Sequence, residues 1–259
     1  LSEEESGRLL AYTTREQNSI AYKILVNFIM KPPFTNQLYN QQRITRDQKN
    51  VEELKIIRTP DIVQKDHVQY QLAIKKAPDD WWLRMKYANF LFFEIQKDSE
   101  AAKQYELILS NFLPNHDVSL VNLGMIYGKR GQYGLAKEIG LKTLRLYPTG
   151  AIAVASHVNL GIAYQQQGDL GQAEHHFNEA IELDPFSHHA YLKLSKLLYK
   201  QNKMEASCTV CREGIKNIPD AEFLHYGLAV SLQARGLKNE ARNEFQETLP
   251  GHLRRIHAN

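Results

Sequence analysis

Two pairs of adjacent histidines lie close together in the stretch AEHHFNEAIELDPFSHHAY, residues 173–191, with acidic residues between them. Histidine and carboxylate side chains are common zinc ligands, but a metal site needs three or four ligands that converge on one point. Adjacent residues on a helix point about 100° apart, so His175–His176 and His188–His189 can each offer one ligand. We therefore expect solvated or packed imidazoles and no metal site.

Cys208 and Cys211 are the two cysteines of the chain, and they form a C-x-x-C motif. A redox motif of this kind sits at the start of a helix that follows a strand, whereas this one falls inside a predicted helix. Two thiolates are also too few for a structural zinc site. We predict packed thiols. The sequence contains no G-x-S-x-G elbow, glycine-rich phosphate loop or H-E-x-x-H motif, so we expect neither catalysis nor a cofactor.

The first histidine pair belongs to a repeated segment. NLGIAYQQQGDLGQAEHHFNEAIELDP, residues 159–185, has a counterpart 34 residues downstream, KLSKLLYKQNKMEASCTVCREGIKNIP, and another upstream, NLGMIYGKRGQYGLAKEIGLKTLRLYP. A fixed period of this length indicates stacked helix-turn-helix units. The matching positions of the central copy are Leu160, Gly161, Tyr164, Gly168, Ala173, Phe177, Ala180 and Pro185.

Each class of residue in the repeat has a physical role. Gly161 in the first helix and Ala173 in the second are small, which lets two antiparallel helices approach closely. The turn between the helices carries Gly168, Asn202 or Gly236 in successive copies, and these residues accept a left-handed backbone. A proline then closes the second helix, because proline cannot continue it.

This pattern strongly resembles the tetratricopeptide repeat over roughly residues 117–249, which we take as the regular repeats. The resemblance implies an all-α fold, a right-handed superhelical array of antiparallel helix pairs. In that family the first helices line a concave groove. We count about five to six repeats, with degenerate copies over residues 46–116 and a tail at 250–259.

Residues 1–45 do not follow the repeat, and we predict a helical segment that packs on the array. KPPFTNQL, within this segment, is similar to a junction between a hydrolase-like domain and a repeat array in larger bacterial proteins. The chain begins without a signal-peptide pattern, and we expect it to be a piece of a longer protein. Its most apolar early stretch, IAYKILVNFIM, is too short to cross a bilayer, so we expect no membrane insertion.

A stripe of basic residues lies off the packing face of the helix that begins near His188. It consists of His189, Lys193, Lys196 and Lys200, whose spacings of 4, 3 and 4 place them on one face. The neighbouring first helices add Asn159 and Gln166 on one side and Phe223 and Tyr226 on the other. The stripe could equally serve only to keep an exposed helix soluble.

Nearer the N-terminus, the same register places Trp82, Met85 and Asn89 on the groove face. An exposed apolar strip of this kind would bind a hydrophobic peptide or be covered by another part of the chain. The alternative is that these side chains pack the irregular early repeats.

We therefore predict a protein–protein interaction scaffold that binds a peptide carrying acidic residues or a free C-terminus in its groove. Asn159, His189 and Lys193 stand where carboxylate-clamp members of the family hold chaperone tails, but Val121 and Met125 replace two expected clamp residues, so chaperone binding is not expected. The net charge of +3 does not favour nucleic acid. Two alternatives remain: an accessory C-terminal repeat domain of a larger hydrolase-like enzyme, and a self-associating scaffold or homo-oligomer that uses Trp82 and Phe92.

Overall fold

The computed structural model describes residues 60–248 of the 259-residue chain. The predicted N-terminal helical segment, the start of the degenerate copies at residues 46–59 and the tail at 250–259 lie outside these described residues. The compact unit formed by the described residues begins at Val63.

The described part of the chain is helical and contains no strand, which confirms the all-α prediction. Eleven α-helices lie between Pro60 and Glu247. They are α1 Pro60–Lys76, α2 Trp81–Asn89, α3 Asp98–Asn111, α4 Asp117–Lys129, α5 Tyr133–Leu146, α6 Gly150–Gln166, α7 Leu170–Leu183, α8 His188–Lys200, α9 Met204–Asn217, α10 Glu222–Ala234 and α11 Lys238–Glu247.

The helices pack as antiparallel pairs in chain order, from α2 with α3 to α10 with α11. Each second helix also packs against the first helix of the next pair. The first helices α4, α6, α8 and α10 contact one another in series, whereas contacts of this extent are absent between successive second helices in the described part. One face of the array is therefore a continuous layer of first helices, and a ligand can touch several repeats there.

The turns inside the helix pairs adopt the conformation that their residue types predict. The φ angle is +74° at Gly131, +85° at Gly168 and +81° at Gly236, and Asn202 takes the same role with a φ of +62°. A side chain with a Cβ atom rarely adopts this region, and asparagine is one of the few that does. These residues end each first helix and reverse the chain into the second.

A π-helical turn, Phe90–Glu94, interrupts the repeat after α2. The backbone N–H of Ile95 donates to the carbonyl of Phe90, five residues earlier, at 3.3 Å. The turn lies where this repeat carries two more residues than the regular copies, and its hydrogen bond over five residues in place of four takes up one of them. Gln96, with a φ of +55°, then takes the place of the turn glycine.

Three buried glycines mark the closest approaches between helices. A Cβ atom added to Gly161 would lie 2.5 Å from the ring of Phe177, and one added to Gly140 would lie 2.7 Å from Leu160. At Gly214 the added atom would lie 2.6 Å from Leu224. All three distances are well below a van der Waals contact, so side chains of the facing helices fill the space that these glycines leave.

Two buried serines offer a test of how polar groups are satisfied inside the array. Ser156 in α6 is 2% exposed, and its hydroxyl has no hydrogen-bond partner. Ser207 in α9 bonds to the carbonyl of Ser195 at 3.0 Å and to the hydroxyl of Ser231 at 2.9 Å. Ser156→Ala should raise the free energy of unfolding by about 1 kcal/mol, since an unpaired buried hydroxyl costs stability.

The matched substitution Ser207→Ala should instead lower the free energy of unfolding by about 1–2 kcal/mol, because it removes hydrogen bonds that are made. Urea unfolding followed by circular dichroism measures both values. Equal destabilisation by the two substitutions would show that the hydroxyl of Ser156 is satisfied in solution.

Candidate functional site

The predicted basic stripe lies on α8, where it faces away from the buried residues of the same helix. Lys196 and Lys200 are exposed and Lys193 is half-buried, while Leu194, Leu197 and Leu198 form the packed side. Burial lowers the pKa of Lys193, and the charges of Lys196 and Lys200 lower it further. The ammonium groups of Lys196 and Lys200 thus lie close enough to that of Lys193 to repel it. None of the ion pairs found in residues 60–248 involves them.

His189 extends the stripe towards the N-terminus of α8. Its ring lies 4.1 Å from that of His188, measured between ring centroids. Burial lowers the pKa of His189, and His188 and Lys193 add to the effect. The imidazole is therefore neutral at pH 7, and it offers one donor and one acceptor beside the lysines.

Exposed aromatic side chains lie on the neighbouring first helix, α10. Phe223 is 66% exposed and Tyr226 is 55% exposed, which is high for residues of this size. A Cβ atom on Gly227 of α10 would lie 3.8 Å from the hydroxyl of Ser195 in α8, so the two helices meet at these residues. Lys196 and Tyr226 are their immediate chain neighbours. The basic stripe and the aromatic pair therefore lie on two first helices that contact each other, and the ring of Tyr226 also packs edge-on against Phe245 of α11, with centroids 5.8 Å apart.

The predicted polar residues of α6 differ in how freely they can bind. Asn159 is half-buried, and its Nδ2 donates to the backbone carbonyl of Val121 in α4 at 3.2 Å. It therefore already links two first helices. Gln166, at the end of α6, is exposed.

Two of the three N-terminal groove residues lie in the interior instead. Met85 is 6% exposed and Asn89 is 9% exposed, while Trp82 is half-buried with its ring against Trp81. Asn89 accepts hydrogen bonds from the hydroxyl of Tyr105 and from the side-chain amide of Asn122. Both residues precede the π turn, and Tyr105 of α3 and Asn122 of α4 pack on Asn89, so the face of α2 that the repeat pattern assigned to the groove is packed against other helices. We therefore place Met85 and Asn89 in the core.

The histidines of the opening stretch separate into different environments. His176 is 7% exposed and lies inside the α6–α7 pair, whereas His175 is exposed and its Nδ1 is 3.7 Å from Glu179. Among residues 60–248 there is no group of three or more histidine, cysteine, aspartate or glutamate side chains that could hold a metal ion. The described residues also include no helix long and apolar enough to cross a membrane.

Cys208 and Cys211 are both completely buried and unpaired in α9, as packed thiols should be. Burial raises the pKa of Cys211 to about 11, which disfavours the reactive thiolate. We expect both thiols to resist a disulfide reagent such as 5,5′-dithiobis(2-nitrobenzoate) at pH 8 in the folded protein and to react completely in urea. Rapid labelling of either cysteine in the native state would contradict this assignment.

Comparison with known proteins agrees with the geometry. Two family models described as Tetratricopeptide repeat match residues 116–185 and residues 158–222. A search of curated proteins gave no significant match.

Solved structures with a similar fold are also repeat proteins. A tetratricopeptide repeat protein from Parabacteroides merdae has a TM-score of 0.58 at 16% identity, and the alignment covers 96% of this chain and 87% of that one. MamA has a TM-score of 0.53 at 20% identity, with 65% of this chain and 96% of that chain covered. A thermophilic tetratricopeptide repeat protein of Thermus thermophilus has a TM-score of 0.54 at 16% identity, with 68% and 95% covered.

The paired helices of the array and the two family models both identify a tetratricopeptide repeat fold. Helix pairs of this type form protein-interaction scaffolds and are typically non-catalytic. The repeats at residues 116–222 of this chain belong to the tetratricopeptide repeat family.

Proposed function

We propose that this protein is a scaffold that recognises an extended, acidic segment of a partner protein at the seam between α8 and α10. The observation that carries the proposal is the basic stripe of Lys193, Lys196 and Lys200 beside the exposed rings of Phe223 and Tyr226. A partner that supplies carboxylates and an apolar side chain matches both halves of this surface.

The three lysines favour an anionic partner because their charges reinforce one another. Burial lowers the pKa of Lys193, the charges of Lys196 and Lys200 lower it further, and a bound carboxylate would relieve this repulsion. Lys193 is also half-buried, so an ion pair there is less screened by water than one on an open surface. A carboxylate near Lys193 therefore fixes the register of the segment, and Lys196 and Lys200 extend the attraction along the helix.

The aromatic residues of α10 supply the apolar part of the surface. Their exposed rings lose water contact when an apolar side chain covers them, at about 25 cal/mol for each Å² buried. The scaffold itself changes little, since the buried faces of α8 and α10 are already packed. The cost of ordering therefore falls mainly on the partner, which is the advantage of a preformed site.

Selection from a random peptide library displayed on phage tests this function without a known partner. The folded protein should enrich peptides in which aspartate or glutamate lies next to an aromatic or aliphatic residue. Counter-selection against Lys193→Glu/Lys196→Glu should remove these peptides. Enrichment of basic peptides, or of none, would overturn the proposal.

A further inference from the structure

The buried face between α6 and α7 contains a pair of histidines that the groove does not use. Nδ1 of His157 in α6 lies 3.0 Å from Nδ1 of His176 in α7. At this distance one ring nitrogen must carry the hydrogen and the other must accept it. The contact is therefore compatible with neutral rings and incompatible with two protonated ones.

The surroundings hold the pair in place. The ring of His176 stacks on that of Tyr164, with centroids 5.4 Å apart and an angle of 18° between the planes. The Nζ atom of Lys137 in α5 also lies 4.8 Å from the centroid of the Tyr164 ring. His176 is buried and His157 is half-buried, so the ring of His176 is shielded from water by the helix pair while His157 keeps partial access to it.

Few charged groups act on the two rings. Glu179 in α7 favours a charge on His157, whereas His175 in α7 disfavours a charge on either ring. Lys137 from α5 contacts the Tyr164 ring that stacks on His176. The charged groups around His176 together disfavour its protonation.

We propose that His157 and His176 form an acid-sensitive clasp, a hydrogen-bonded pair that holds α6 to α7 at neutral pH and opens when both rings are protonated. Opening would loosen the central repeat, including α6, whose Asn159 links it to α4. The switch responds to the pH of the surroundings and requires no ligand.

The direction of the pH effect follows from linkage. Burial lowers the pKa of His176 from 6.5 to about 4, with His157 and His175 as further causes, and burial also lowers the pKa of His157. The unfolded chain therefore binds more protons than the folded protein at pH values between about 4 and 6.5. The stability that this pair contributes therefore falls as the pH falls through this window, and it is unchanged above it.

Thermal unfolding of the full chain at pH 7 and pH 5 tests the clasp. The variant His157→Gln/His176→Gln replaces the pair by amides, which bond to each other without titrating. We expect the melting temperature of the wild type to fall by roughly 4 °C more than that of the variant over this interval. His175→Gln, at an exposed neighbour, is the control and should keep most of the wild-type slope.

Equal pH slopes for the wild type and the double variant would overturn the proposal. Should the double variant fail to fold, NMR titration of the wild-type imidazoles decides the question instead. The clasp predicts that His176 stays neutral at pH 5 while the protein is folded. Titration of both His157 and His176 near pH 6.5 with the fold intact would contradict it.

Discussion

Gly161→Ala is expected to lower the free energy of unfolding by about 1–3 kcal/mol, although it adds a single methyl group. The added Cβ atom would lie 2.5 Å from one ring carbon of Phe177 and 2.6 Å from the next. Phe177 is completely buried, so its ring cannot move aside without shifting α7. The gain in helix propensity from glycine to alanine, about 1 kcal/mol, offsets only part of this cost. Urea unfolding measures the difference.

Gly134→Ala is the matched control for this prediction. Gly134 also lies in a helix, α5, but nothing is found within 4 Å of the position that its Cβ atom would take. The substitution should leave stability unchanged or raise it by up to about 1 kcal/mol. Destabilisation of equal size at both glycines would show that helix packing is not the cause.

The next repeat suggests a compensating change. Its corresponding residues are Ser195 and Cys211, which combine a larger side chain on the first helix with a smaller one on the second. Gly161→Ser/Phe177→Cys transfers that pair into the central repeat. We expect the double variant to be more stable than the sum of its single changes predicts, by at least about 1 kcal/mol. Additive effects would contradict the idea that the two positions share one volume.

Lys193→Glu/Lys196→Glu should weaken binding of a selected acidic peptide by about 10- to 100-fold, roughly 1.4–2.8 kcal/mol. The change replaces two attractive charges by two repulsive ones at the centre of the stripe. Thermal stability should change little, since Lys196 is exposed and Lys193 is only half-buried. Isothermal titration calorimetry measures the affinity.

The control must change the net charge by the same amount elsewhere. Lys103→Glu/Lys216→Glu does so at exposed positions of the second helices α3 and α9. It should leave the affinity within about twofold of the wild type, because charges beyond the Debye length of about 8 Å are screened in physiological salt. Equal weakening by both variants would show that net charge governs binding, and not the stripe.

The regular repeats could be read from the sequence because their signals are local. Gly168 and Asn202 lie at turns that require a left-handed backbone. Between them, apolar residues recur with the spacing of a helix. A small residue also indicates where a large side chain of the facing helix packs, as Gly161 does for Phe177. Each of these features depends on residues less than one repeat apart.

In the early repeats, the sequence predicted the buried helix faces less accurately. Met85 and Asn89 occupy positions that the repeat pattern assigns to the groove, and no residue type in α2 indicates that this helix buries that face instead. The contact between His157 and His176 could not be predicted from the sequence either, because neither residue occupies a recurring position of the repeat. Contacts between side chains of two helices require the helix rotation to be known, and the sequence sets that rotation only where small or turn residues fix it.

The most direct test of groove recognition is photo-crosslinking of the selected peptide. The photoreactive residue p-benzoylphenylalanine is placed at Tyr226 in one protein and at Leu135, an exposed residue of the second helix α5, in another. The account predicts that the peptide crosslinks from position 226 and not from position 135. Crosslinking from position 135, or from neither position while binding persists, would contradict a binding site between α8 and α10.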